Sequence, residues 1–206
     1  MGEYTKVAAD AFQKLQLNAG VMVDSFTPST GVIGNIIAAT TGGITFASNP
    51  NYIDFGEDVD NVPANTWQLK RVQSYDPVIS GTLLTVTAAL VKQLVGGAQY
   101  GSSGTPAVTD TTHIVPTHEL TEDDFDDIWF VCDYSDKNSG TGSPAPYAGY
   151  IAIHIMNALN TAGFQLKTTK NAKGQYTFEF HGHYDIEDID TVPFEIYVKA
   201  GAAASA

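Results

Sequence analysis

Apolar and polar positions alternate with a period of two along most of the chain. Leu15, Leu17, Ala19, Val21 and Val23 alternate with mostly polar neighbours, and Ile44 and Phe46 repeat the pattern briefly. Successive side chains on a strand point to opposite faces, so this alternation predicts strands with one buried face. Residues 79–87 are rich in β-branched side chains, and 128–133 places Trp129 and Val131 on one face. Ile151, Ile153 and Ile155 share a face. Phe164 with Leu166, then Tyr176, Phe178 and Phe180, then Phe194, Ile196 and Val198 continue the series. The chain is therefore expected to be mainly β.

One helix interrupts the strands. Thr87 is suited to cap it, residues 88–95 form it, and Gly96-Gly97 ends it. Val91, Leu94 and Val95 are predicted to form its apolar face. A helix this short is marginal alone and has to pack on the sheets. A second helical turn is predicted at 157–160, whereas residues 4–14 read as an extended arm. Two long polar loops remain, 96–119 and 133–148, and the end of the chain, Ala200-Gly-Ala-Ala-Ala-Ser-Ala206, is of low complexity. No internal repeat or linker divides the chain, which predicts a single domain over 1–201, an N-terminal arm over about 1–11 and a flexible tail over 202–206.

The 206 residues carry 23 acidic and 10 basic side chains, a net charge of -13. That balance excludes nucleic acid as a general ligand, because phosphate contacts need Lys and Arg. The acids cluster. Asp54, Glu57, Asp58 and Asp60 form one group; Glu119, Glu122, Asp123, Asp124, Asp126 and Asp127 a second; Asp185, Glu187, Asp188 and Asp190 a third. Charge runs are usually solvated loops, and a shared anionic surface is the sharper alternative. No apolar run approaches the length of about 18 residues that a membrane-spanning helix requires. The first residues lack the apolar segment of a secretory signal, and the single cysteine, Cys132, excludes an internal disulfide framework. Both fit folding in a reducing cytoplasm.

Candidate chemistry is sparse. His181-Gly-His183-Tyr-Asp185 imitates a metal site, since two histidines two apart on a strand share a face. It falls one residue short of the HxHxDH pattern of metallo-β-lactamase-like hydrolases: Ile186 stands where a histidine is needed, and none follows His183. A strand with two polar side chains on its wet face is the favoured reading. His113, His118 and His154 pair with no carboxylate at a telling spacing. Asp58-Val-Asp60-Asn61 resembles part of a calcium loop but lacks its glycine and distal glutamate, so a turn before Pro63 is expected. Acidic neighbours should raise the Cys132 thiol and make it a poor nucleophile. There is no GxSxG, Walker A or GxGxxG pattern. No catalytic residue, metal site or cofactor is expected.

An ordered series of phrases resembles one family. They include Phe12-Gln-Lys-Leu-Gln-Leu-Asn-Ala-Gly20, Ala39-Thr-Thr-Gly-Gly-Ile-Thr-Phe46 and Tyr52-Ile-Asp-Phe-Gly-Glu-Asp-Val-Asp-Asn-Val-Pro63. Ser80-Gly-Thr82, Asp126-Asp-Ile-Trp129, Asp133-Tyr-Ser-Asp-Lys-Asn138 and Gly149-Tyr-Ile-Ala-Ile-His154 follow. Gly163-Phe-Gln-Leu166, Lys173-Gly-Gln-Tyr-Thr-Phe-Glu-Phe180, Gly182-His-Tyr184 and Val192-Pro-Phe-Glu-Ile-Tyr197 close it. Together they resemble the major tail (tail tube) proteins of long-tailed, non-contractile phages and prophages of Gram-positive bacteria. Departures from the family are confined to the polar stretch 101–112, to Val62 before Pro63 where relatives are expected to carry cysteine, and to Pro144-Ala-Pro146 in place of a glycine-rich turn.

The resemblance implies a β-sandwich or barrel-like fold with one flanking short helix at about 87–96 and long loops. It implies a structural virion protein, assembled in the bacterial cytoplasm, whose hexameric rings stack into the phage tail tube. The implied partners are further copies of the chain, a tape measure protein in the lumen, and tail terminator and distal tail proteins. Double-stranded DNA passes through without specific binding, and no membrane is involved. Within this frame the strands of 149–199 are expected to form much of the ring wall, with the N-terminal arm and the loops 97–118 and 133–148 bridging rings. Asp54, Glu57, Asp58, Asp60, Asp185, Glu187 and Asp188 are the candidates for lumen or inter-subunit contacts. The alternatives are a β-sandwich binding module of adhesin type, and a metal-dependent hydrolase using His181, His183 and Asp185.

Overall fold

The alternating segments form strands that pair antiparallel throughout. A computed structural model describes residues 15–16, 19–101, 111–135 and 149–199. The first half of the chain runs β1 (Leu15–Gln16), β2 (Val21–Val23), β3 (Phe26–Thr27), β4 (Val32–Ile33), β5 (Thr40–Ala47), β6 (Pro50–Asp54), β7 (Lys70–Tyr75) and β8 (Val78–Leu83). Helix α1 (Ala88–Val95) leads into β9 (Ala98–Tyr100), β10 (Ile114–Pro116) and β11 (Asp126–Ser135). Then come β12 (Gly149–Asn160), β13 (Gln165–Lys167), β14 (Gln175–His181) and β15 (Phe194–Lys199). The protein is mainly β with one α-helix among the described residues. The predicted N-terminal arm over 1–11, most of the 133–148 loop and the tail over 202–206 lie outside them.

Nine strands make one antiparallel sheet, folded on itself at β12. The first half of β12 lies between β11 and β15, with Ile128 opposite Ile155, Phe130 opposite Ile153, and Ile153 opposite Ile196. Its last residues, Leu159 and Asn160, pair instead with β14. The corner has a local cause: Asn157 adopts φ 49°, β11 shifts register between Asp126 and Ile128, and the Asp127 carboxylate accepts the Asn157 N–H at 3.1 Å. The helical turn expected at 157–160 is therefore wrong; the chain there is strand, bent by one left-handed residue.

Folding at β12 brings two apolar faces together. Ile128, Phe130, Ile153 and Ile155 from one half meet Ile79, Leu83, Phe178 and Phe180 from the other. α1 closes the open end with Leu90 and Leu94, four apart and nearly fully buried. The predicted helix face of Val91, Leu94 and Val95 is thus rotated by one position. Its caps are as expected: the Thr87 hydroxyl accepts the Leu90 N–H at 3.2 Å, and Gly96 takes φ 77°. A smaller cluster of Val23, Phe26, Trp129 and Ala152 covers the opposite face of β11 and β12.

Two other expectations change. The alternation from Leu15 to Val23 is not one strand, because Gly20 interrupts it at φ 71°. A Cβ there would lie 2.6 Å from the Phe130 ring, so only glycine permits this approach. The 96–119 stretch is not wholly loop: β9 and β10 pair within it, with Val115 opposite Gln99. The strand predicted at 79–87 ends at Leu83, before the helix cap.

Candidate functional site

The feature with least explanation inside its own chain is a hairpin arm. β5 and β8 pair in the folded sheet, and beyond them β6 and β7 continue the hairpin as a separate two-stranded ribbon. The change falls at Asn49, with φ 36°, and Asp76-Pro77, where the Asp76 N–H donates to the Asn49 carbonyl at 3.1 Å. The arm carries large apolar side chains in solvent: Tyr52, Phe55, Val59, Val72 and Trp67, the last 79% exposed. Tyr52 faces Val72 across the strands, and the Lys70 ammonium lies 5.3 Å from the centre of the Tyr52 ring. Apolar groups of this size are normally buried, and a cluster of them in solvent marks a contact surface.

Asp54 shapes the tip of the arm. Its two carboxylate oxygens accept the N–H groups of Gly56 and Asn65, each at 2.9 Å, closing the loop between β6 and β7. Those bonds, Gly56 first and then Asn65, with the Lys70 charge, hold its carboxyl below the usual carboxylate range despite some burial. Glu57, Asp58 and Asp60 remain exposed on the loop. In the third cluster, Asp185 accepts the Glu187 N–H at 2.9 Å and Asp188 accepts the Thr191 hydroxyl at 2.7 Å. Glu187 is exposed, beside Ile186 and Ile189 at 90% and 66% exposure. Of the seven predicted contact residues, Asp54, Asp185 and Asp188 thus have structural duties, while Glu57, Asp58, Asp60 and Glu187 present their carboxylates to solvent.

The second acidic cluster is not simply a solvated loop. Asp124 is buried and sits in a capping box, accepting the Thr121 N–H at 2.9 Å and its hydroxyl at 3.0 Å. Lys92 of α1 pairs with it at 3.4 Å, and Gln93 donates to Asp126 at 2.5 Å. Burial pushes the Asp124 carboxyl up, but the N–H groups of Thr121 and Ala98, the Thr121 hydroxyl and Lys92 outweigh it and lower it. These acids fasten α1 to β11.

The histidines do not assemble a metal site. β14 ends at His181, so the alternation that would align His183 with it stops there. His183 Nδ1 lies 3.0 Å from the Asn157 carbonyl oxygen, and its ring meets Phe125 edge-on. His181 instead sits between Asp76 at 2.7 Å and Glu179 at 3.0 Å. No three His, Cys, Asp or Glu side chains among the described residues group to hold a metal ion. His154, which has no carboxylate at a telling spacing in sequence, stacks on Trp129 and lies 3.2 Å from Asp127 on the neighbouring strand. Cys132 is buried in the core; burial first, then the Asp133 charge, pushes its thiol up to about 11.

Residue types alone gave no signal for two further positions. Asp76 is 105 residues from the histidine it faces. Asn160, 2% exposed, donates to the Leu94 carbonyl at 2.6 Å and the Gly163 carbonyl at 3.1 Å, and accepts the Glu179 N–H at 2.9 Å. It satisfies a carbonyl at the end of α1 and joins helix, turn and β14. No helix among the described residues is long and apolar enough to cross a membrane. No protein-family model and no curated protein matches this chain.

Proposed function

We propose that the protein is a structural subunit of a phage tail tube, forming hexameric rings that stack into the conduit for DNA. The observation that carries this is the arm. Its apolar residues Tyr52, Phe55, Val59, Trp67 and Val72 are exposed, with no cover among the described residues, as expected of a segment that is buried by a neighbouring copy. We assign it to contacts between stacked rings. The sheet supports the same view, because β15 has no strand on its outer side among the described residues. Ile196 and Val198 stand on its core-facing side yet are 51% and 62% exposed. An unpaired strand edge is a template for pairing with another chain, and closure into a ring removes it.

The wall in this proposal comes from β12 and β15. The role first given to the whole 97–118 loop narrows, since β9 and β10 pair with each other within the chain. Exposed carboxylates at Glu57, Asp58, Asp60 and Glu187 are the candidates for a lumen that repels DNA phosphate, letting the genome slide without sticking. Tape measure, terminator and distal tail proteins would then be partners at the lumen and the two ends of the tube.

Electron microscopy of the concentrated protein tests the proposal. Rings or tubes with six-fold symmetry are expected, with carboxylates lining the bore. A chain that stays monomeric at every concentration and salt condition, and is not incorporated into tubes, would count against it.

A further inference from the structure

The arm meets the folded sheet at Asp76-Pro77, and the side chain clamped there is His181 at the end of β14. Its Nδ1 lies 2.7 Å from Asp76 Oδ1, and its Nε2 lies 3.0 Å from Glu179 Oε1. A neutral imidazole has one N–H and one lone pair, so it can donate to only one of these carboxylates. The other contact would set a lone pair against an anionic oxygen. Only the imidazolium donates to both, with charge assistance at each.

We propose that protonated His181 is a latch that fixes the arm's direction relative to the sheet, and that its deprotonation loosens the arm at its root. Asp76 belongs to the arm's root and Glu179 to the body of the sheet, so the imidazolium joins the two. Other ties at the root do not depend on its charge, among them the Tyr75 ring, which meets Phe194 of β15 edge-on. The Gly182 N–H donates to the Pro77 carbonyl at 3.0 Å, and the Tyr75 N–H donates to the Tyr184 hydroxyl oxygen at 2.8 Å. They keep the root attached while the arm gains freedom about them.

The groups facing His181 favour its charged form. Asp76 and Glu179 are the charged groups acting on it, while β8 and β12 place the uncharged Val78 and Leu159 opposite. Partial burial works against the charge, but the hydrogen bonds to Glu179 and Asp76 and their negative charges outweigh it, and the imidazole is raised above its ordinary value. A raised value means that the latch is fully formed below the unfolded value of about 6.5 and is lost as pH rises through the higher folded value. The latch is a property of the single chain and is independent of the tube proposal.

Electron–electron distance measurements on spin-labelled protein test it. Labels go on Trp67→Cys at the arm tip and Lys173→Cys in the exposed turn before β14; Cys132 is buried and stays unlabelled. The measurement is made on protein shown to be monomeric by size-exclusion chromatography with light scattering, so it reads the single chain. The distance distribution should be narrow at about pH 5 and broaden by about pH 9, with its midpoint above the ordinary histidine value. Histidine NMR of the same protein should place the His181 titration at that midpoint. In the His181→Gln background the distribution should be equally broad at both extremes. Glu179→Gln, which removes one of the two charges, should move the midpoint to lower pH and serves if the first variant fails to fold. A width that does not change with pH in the parent protein, or a midpoint unmoved by Glu179→Gln, overturns the latch.

Discussion

The folded sheet and the hairpin arm are built from similar residues with opposite fates. In the sheet, Phe178, Phe180, Ile79 and Leu83 are at most 2% exposed. In the arm, Trp67 and Phe55 are 79% and 60% exposed, and they lie on the same hairpin that contributes Ile79. The strands do not differ in apolar content so much as in what covers them. The sheet folds at β12 and supplies its own second layer, whereas among the described residues no second layer reaches the arm. Burying a large side chain contributes about 1.5–3 kcal/mol, and the exposed arm forgoes that stabilisation within the described fold. Stability is thus expected to reside in one region and assembly in the other.

Substitutions that separate the two regions sharpen this contrast. Phe178→Ala opens a cavity between the two halves of the sheet and should cost about 3–5 kcal/mol, read as a lower denaturation midpoint. A loss below 1 kcal/mol would mean that the halves are not packed as described. Asp124→Ala removes the capping box and strands Lys92, and should cost about 3 kcal/mol at neutral pH. Because the Asp124 carboxyl is lowered on folding, its contribution is complete above the unfolded value of about 4 and fades as pH falls through the folded one. The gap between parent and variant should therefore close in acid; a gap independent of pH would remove the carboxylate from the account. Trp67→Ser comes last, with a stability change within about 0.5 kcal/mol, as for other surface positions. On the tube proposal, the same variant should also fail to form tubes. A variant that assembles normally would break the comparison, because the arm's apolar surface would then be incidental.

Much of the sheet was legible because one-sided burial imposes a period of two on the sequence. Ile151, Ile153 and Ile155, and Phe178 with Phe180, fall on the core face that their alternation predicts. The helix was marked by its caps, Thr87 and Gly96, which act over a few residues. Its buried face was misjudged because Leu90 and Leu94 are chosen by what the sheet presents beneath them. The corner at Asn157 was missed for a similar reason: a single left-handed residue in a β-rich stretch leaves almost no local trace.

The candidate sites divide in the same way. Local chemistry indicated the turn before Pro63 and the acidic neighbour of Cys132, although burial in the core does more than Asp133 to raise that thiol. Distant pairing decided the rest. Asp76 claims His181, Asp127 approaches His154, and Lys92 reaches Asp124, across separations that no short motif spans. The arm is the clearest case. Alternation in sequence reports that a residue could be buried, but only the folded sheet, by ending short of Tyr52, Phe55 and Trp67, decides that these side chains stay exposed among the described residues.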